Sequence, residues 1–248
     1  VRPASLMSSP VGANVLVRPQ VWAKQVELND AHLENQRVIG HVASDPSAKY
    51  FDMLRTPILQ IMDAQNWQFL AVTSPTAACG KTLTAINLAL SIARNAERTV
   101  LLVDLNLQNP QVARRLGLEG VEDSVGVLQG RLSLSDAVVQ THIGDTRLLV
   151  LPTEAALPGS SELMASRAMI SMLQAIRLGF PSHIVIFDLP PVLAGDDVIA
   201  FLPHVDCAVL VAAVGVSSIQ EIDECRRHLQ ETKVVRMVVN KVPMKSRL

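Results

Sequence analysis

The sequence predicts an α/β protein built on a doubly wound, mostly parallel sheet flanked by helices, and three observations predict it. Four short runs, 69–72, 100–103, 184–187 and 208–214, are apolar almost throughout and are separated by segments long enough for helices. Strands of a parallel sheet covered on both faces read in this way, because neither face meets water. Gly80-Lys81-Thr82 stands where the first of these runs gives way to a helical pattern, and two later runs end in Asp104 and Asp188. Ligands of such sheets bind outside the carboxyl ends of the strands, so all three features fall on one edge.

Taking the chain in order, residues 1–47 are polar, punctuated by proline and weakly periodic, and read as an N-terminal extension or arm with a short helix around 27–36. Residues 48–248 read as one nucleotide-binding domain. Tyr50, Leu54, Ile58, Ile61 and Met62 recur at helical spacing, which predicts an amphipathic helix over 48–64, kinked or broken at Pro57. Helices are predicted over 81–95, 161–177 and 218–229, and two further strands over 147–151 and 234–239.

Composition narrows the function class. A formal net charge of -1, with 18% charged residues, gives no field that would recruit nucleic acid or an anionic membrane surface. The longest apolar run, 207–216, is too short to span a bilayer, and no secretory leader pattern opens the sequence. Three scattered cysteines, Cys79, Cys207 and Cys225, fit neither a disulfide framework nor a metal cluster, so a soluble cytoplasmic protein is expected.

The chemistry concentrates in Thr73-Ser74-Pro75-Thr76-Ala77-Ala78-Cys79-Gly80-Lys81-Thr82. In a phosphate-binding loop, backbone N–H groups wrap the anion, a lysine ammonium reaches its outer phosphates, and a threonine hydroxyl ligates Mg²⁺. Gly80, Lys81 and Thr82 match those roles, although Pro75 stands where the strict pattern has glycine. Two carboxylates at strand ends, Asp104 and Asp188, complete an oxygen-donor set suited to a hard divalent cation. Cys79 lies inside this loop, which suggests sensitivity to oxidation; a small residue tolerated at that position is the plainer reading.

Many short segments in a fixed order carry a family resemblance. They are Leu54-Arg55-Thr56, Thr73-Ser74-Pro75, Gly80-Lys81-Thr82, Ile86-Asn87-Leu88-Ala89, Asp104, Pro110, Leu116-Gly117-Leu118 and Val127-Leu128-Gln129-Gly130. Leu151-Pro152, Ser161-Glu162-Leu163-Met164-Ala165-Ser166, Asp188-Leu189-Pro190-Pro191 and Val239-Asn240-Lys241 continue the series. With these, the chain resembles the bacterial tyrosine kinases (BY-kinases) of capsule and exopolysaccharide assembly, P-loop relatives of the MinD and ParA ATPases. Phe187-Asp188 and the spacing around Ser161 are similar to the exosortase-associated autokinases.

The resemblance implies ATP and Mg²⁺ held by Lys81, Thr82, Asp104 and Asp188, with Lys81, Asp104 and Asp188 in catalytic roles. Ala78, Cys79, Gly80 and Leu83 would line the phosphates and Asn240 would lie near the adenine. It also implies activation by a cytoplasmic segment of a membrane polysaccharide co-polymerase, and self-association through the helix around 50–55. Three departures bear on turnover. Ala77-Ala78-Cys79 stands where the family has Pro-Gly-Glu, Asn106 and Gln108 replace an aspartate and an arginine, and Tyr50 is the one tyrosine of the 248 residues. These departures imply weak catalysis. Two further readings stand beside the kinase: a MinD/ParA-type ATPase, against which Thr76 replaces that group's lysine, and a non-catalytic scaffold ordered by nucleotide.

Overall fold

The computed structural model describes residues 24–95, 97–230 and 232–243. An eight-stranded sheet runs through them, formed by β1 (Lys24–Glu27), β2 (Phe69–Thr73), β3 (Thr99–Asp104), β4 (Val139–Ile143), β5 (Thr146–Leu151), β6 (His183–Asp188), β7 (Cys207–Ala213) and β8 (Lys233–Asn240). Their spatial order is β1-β4-β5-β3-β6-β2-β7-β8. Every pairing is parallel except the β4–β5 hairpin. The predicted doubly wound, mostly parallel sheet is what the chain forms.

Period-two alternation decides which residues serve which face. Leu70, Val72, Val100, Leu102, Ile184, Ile186, Cys207 and Val209 point into one buried cluster, and Phe69, Ala71, Leu101, Val103, Val185, Phe187, Ala208 and Leu210 into the other. Two long helices, α2 (Ala48–Gln65) and α3 (Lys81–Ala93), cover the first face through residues such as Ile58, Met62, Ile86 and Leu90. Helix α8 (Arg167–Gly179) covers the second through Met169, Met172, Leu173 and Ile176. Shorter helices α1 (Asp30–Asn35), α4 (Val112–Leu116), α5 (Ser124–Leu128), α6 (Leu134–Ala137), α7 (Ser161–Met164) and α9 (Asp197–Phe201), with α10 (Ile219–His228), complete the layers.

Three expectations change. Pro57 does not interrupt α2, which runs unbroken for 18 residues; the carbonyl it leaves without a donor belongs to Met53, on the exposed face of the helix. The helix predicted over 161–177 is two helices, because Ser166 is extended at φ -79, ψ 160 and its hydroxyl accepts from Met169 N, starting α8 afresh.

The boundary drawn at residue 47 is the third. Residues 24–47 supply strand β1 on the sheet edge and bury Leu28, Leu33 and Val38 in the main core. Asn87, in the middle of α3, ties this segment down: its Oδ1 accepts from Ile39 N and Gly40 N, each at 2.7 Å, and its Nδ2 donates to the Arg37 and Leu83 carbonyls. The backbones approach so closely that a Cβ on Gly40 would lie 2.2 Å from the Asn87 carbonyl oxygen. Residues 1–23 of the predicted arm lie outside the described residues.

Candidate functional site

Strand β6 lies between β2 and β3, so the ends of three adjacent strands meet. Asp104 and Asp188 are direct cross-strand partners, and Asp188 also faces Val72, one residue before the end of β2. The turn after β2 then carries the chain to α3. Its first part is pinned to the segment after Asp188, because Val192 N donates to Ser74 O, Leu193 N to Pro75 O, and the Thr73 hydroxyl to Pro190 O. Loop and strand end are thereby held as one unit.

The second part of the loop is open to an anion. Amides of Ala77, Ala78, Cys79, Gly80, Lys81 and Thr82 donate to no acceptor among the described residues, and the first helical bond of α3 is Thr84 N to Gly80 O. The loop turns through two left-handed residues, Ala78 at φ 61 and Gly80 at φ 94. At Gly80 glycine is also demanded by space, since a Cβ would meet Asn240 Nδ2 at 2.3 Å. Asn240, at the end of β8, donates through that nitrogen to Cys79 O at 3.0 Å. Thus the residue expected near an adenine braces the loop itself. The Cys79 thiol is buried, with its sulfur 3.3 Å from Ser217 Oγ, and the partly buried Leu83 packs against the core.

Around the strand ends the side chains converge. Thr82 Oγ1 donates to Asp188 Oδ2 at 2.6 Å, and Lys81 Nζ lies 3.9 Å from Asp188 Oδ1 and 3.4 Å from Thr82 Oγ1. The ammonium is thus near its neighbours without a tight bond to either, which leaves its donors for another acceptor. Asp104 is fully buried, and its carboxylate accepts from Asn106 N, Gln111 N and Val112 N at 3.0–3.1 Å. The Gln111 and Val112 amides open helix α4 and the Asn106 amide belongs to the turn after β3, so the orientation of the carboxylate is set by the backbone.

The electrostatics follow from this burial. Loss of water and then the charge of Asp188 push the Asp104 carboxyl up to about 8, against the pull of its three amides. Burial also raises Asp188, while Lys81, the Thr82 hydroxyl and Arg115 oppose the rise. Asp188 Oδ1 is buried without a hydrogen-bond partner. A carboxylate oxygen at this depth costs free energy unless positive charge meets it closely, and the Lys81 ammonium stands 3.9 Å away, outside hydrogen-bond distance. A divalent cation suits the chemistry of that oxygen, with Thr82 Oγ1 bonded to the other oxygen of the same carboxylate. Among the described residues no group of three or more His, Cys, Asp or Glu could hold a metal alone. Phosphate oxygens would therefore have to complete the coordination.

Two residues beside the site, Asn106 and Asp197, have contacts that only the fold shows. Asn106, standing where a second carboxylate was looked for, donates from Nδ2 to Asn109 O at 2.7 Å and stabilises its own turn. Asp197, at the start of α9, accepts from Ser160, Ser161 and Gln108, joining the segment after β3 to α7 and α9. Nothing in the spacing of 108, 160 and 197 links them, so only the tertiary fold discloses that junction.

A glycine- and lysine-bearing loop between a buried parallel strand and a helix N-terminus, flanked by two strand-end carboxylates, defines a P-loop nucleotide-binding domain. The model of the CobQ/CobB/MinD/ParA nucleotide binding domain matches residues 70–247, and the chain belongs to that family. Within it the chain is similar to bacterial tyrosine kinases of capsule and exopolysaccharide synthesis. It is 27% identical over 197 residues to the tyrosine-protein kinase CpsD of Streptococcus agalactiae, spanning 78% of this chain and 83% of that one. The fold of the chimerical protein CapA2B2 is similar, with a TM-score of 0.75 at 23% identity over 90% of this chain and 95% of that chain. Cobyrinic acid a,c-diamide synthase from Mycobacterium smegmatis, solved with a bound ATP analog and magnesium, shares the fold with a TM-score of 0.53 at 24% identity, over 70% of this chain and 72% of that one. No helix among the described residues is long and apolar enough to cross a membrane.

Proposed function

We propose that the chain binds ATP with Mg²⁺ and acts as a phosphotransferase of the protein-tyrosine kinase type in the regulation of exopolysaccharide biosynthesis. One observation carries the reading: Thr82, Lys81, Asp104 and Asp188 converge on the ends of β2, β3 and β6, with a buried oxygen of Asp188 left without a partner. The loop amides from Ala77 to Thr82 would wrap the phosphates, and Lys81 would reach their outer oxygens. Thr82 and Asp188 would hold the cation, and Asp104, fixed by three amides, would face it from the next strand. Bound Mg²⁺ supplies charge neutralisation on the transferring phosphoryl oxygens. The domain would work in the cytoplasm, beside the inner membrane through the cytoplasmic segment of a polysaccharide co-polymerase, and as a homo-oligomer.

A second reading is favoured by Asn106, whose amide is spent on its own turn. With one carboxylate fewer than the kinases it resembles, the site would bind nucleotide and order the protein for a partner without turnover. Incubation with labelled ATP and a tyrosine polymer separates these outcomes. Label on the polymer supports the kinase; phosphate release without transfer marks an ATPase of the MinD/ParA type; saturable Mg-ATP binding alone marks the scaffold. Lys81→Met is expected to abolish binding in each case, and a variant that binds ATP as tightly as the parent overturns the site.

A further inference from the structure

Arg115 is the last charged residue of α4, one turn beyond the amides that bind Asp104. Its Nε is buried without a hydrogen-bond partner. The guanidinium makes no hydrogen bond or close ion pair among the described residues, whereas its neighbour Arg114 spends its backbone carbonyl on His32. It lies near enough to Asp188 for its charge to help hold that carboxyl down. Arg115 as a whole is half-buried, and the cost falls on Nε, a donor that has given up its bond to water without gaining another. Such a group persists where a ligand completes it.

Position identifies the ligand. The phosphate loop follows β2 and α4 follows β3, and β6 with Asp188 lies between them. Arg115 thus sits on the helix that follows β3, the strand on the other side of Asp188 from β2 and its loop. A phosphate chain that starts on the loop amides and runs past Asp188 ends on the α4 side. The forked guanidinium matches two oxygens of one phosphate, which a lysine at that place would not.

We propose that Arg115 binds the terminal phosphate of the nucleoside triphosphate, as a second cation acting across Asp188 from Lys81. This rests on the nucleotide-site reading above, and it adds a specificity: Arg115 distinguishes a triphosphate from a diphosphate. Neither Arg115 nor a charge at its position figured among the residues picked out from the sequence.

The test compares ATP and ADP affinities, each with Mg²⁺, for the parent, Arg115→Gln, Arg115→Lys and Lys81→Met by titration calorimetry, with thermal unfolding of the nucleotide-free variants as a check on folding. One lost charge-assisted contact predicts that Arg115→Gln weakens ATP about tenfold and leaves ADP within about twofold. Arg115→Lys is expected to recover part of the loss. Equal weakening of ATP and ADP would make Arg115 structural and overturn the proposal, as would unchanged ATP affinity in Arg115→Gln. If the parent itself binds neither nucleotide, the site reading and this proposal fall together. If the parent binds and Lys81→Met does not, only the role of Arg115 is at stake.

Discussion

The Thr82 hydroxyl lies 2.6 Å from Asp188 Oδ2, joining the first turn of α3 to the end of β6. The contact closes the gap between the phosphate loop and the middle strand of the site. It also leaves the other oxygen of Asp188 unsatisfied, and that asymmetry makes the pair a test of cation binding.

Thr82→Val removes the hydroxyl and keeps the shape. Nucleotide affinity measured with Mg²⁺ is expected to fall about tenfold or more, whereas affinity measured in a chelator changes little. Thr82→Ser restores the parent behaviour. Equal losses with and without Mg²⁺ would show that Thr82 serves the loop rather than the cation.

Without nucleotide and divalent ion, stability depends on pH through Asp104. Its folded value, about 8, lies above the ordinary aspartate value of 3.8, so between these limits the folded state binds more protons than the unfolded chain. Stability therefore falls as pH rises across that window, by the sign of the proton linkage. Asp104→Asn, which retains an acceptor oxygen for the α4 amides, is expected to flatten the slope. Thermal midpoints at several pH values across the window check it, and an unchanged slope in the variant refutes it.

Ala78 holds a left-handed conformation, φ 61, that glycine adopts without steric cost. Ala78→Gly relieves that strain but gives the unfolded chain more freedom, for a net gain of about 0.5–1 kcal/mol. Denaturant midpoints read the change, and Mg-ATP affinity is expected to rise with it. A less stable variant would mean that the loop relies on the Ala78 methyl group.

Asn87 satisfies two amides and two carbonyls inside the protein. Asn87→Leu leaves the Ile39 and Gly40 N–H groups without acceptors beneath the main core, which costs about 3 kcal/mol. Protease cutting within residues 30–47 should accelerate in the same variant. Resistance equal to that of the parent would show that the β1 strand alone anchors the segment.

Legibility followed the range of the forces involved. Strands β2, β3, β6 and β7 were readable because each is buried on both faces and is apolar along its interior, with polar residues only at its ends. β4 was not: Val-Gln-Thr-His-Ile alternates and gains its place from an antiparallel hairpin partner and from β1. The break between α7 and α8 turns on one serine that chose a cap over helix continuation, a choice between near-equal local energies.

The sequence by itself determined the central strands of the sheet, the phosphate loop and the two strand-end carboxylates, since each depends on a run of adjacent residues and on the edge of a parallel sheet. The tertiary structure alone decided that Asp104 and Asp188 are direct neighbours, that Asn240 braces Cys79 and that residues 24–47 join the core. It alone placed the unpaired Arg115 near Asp188. Those relations join residues distant along the chain, and the physical reason is that desolvation and backbone approach depend on what folds alongside a residue and not on its sequence neighbours.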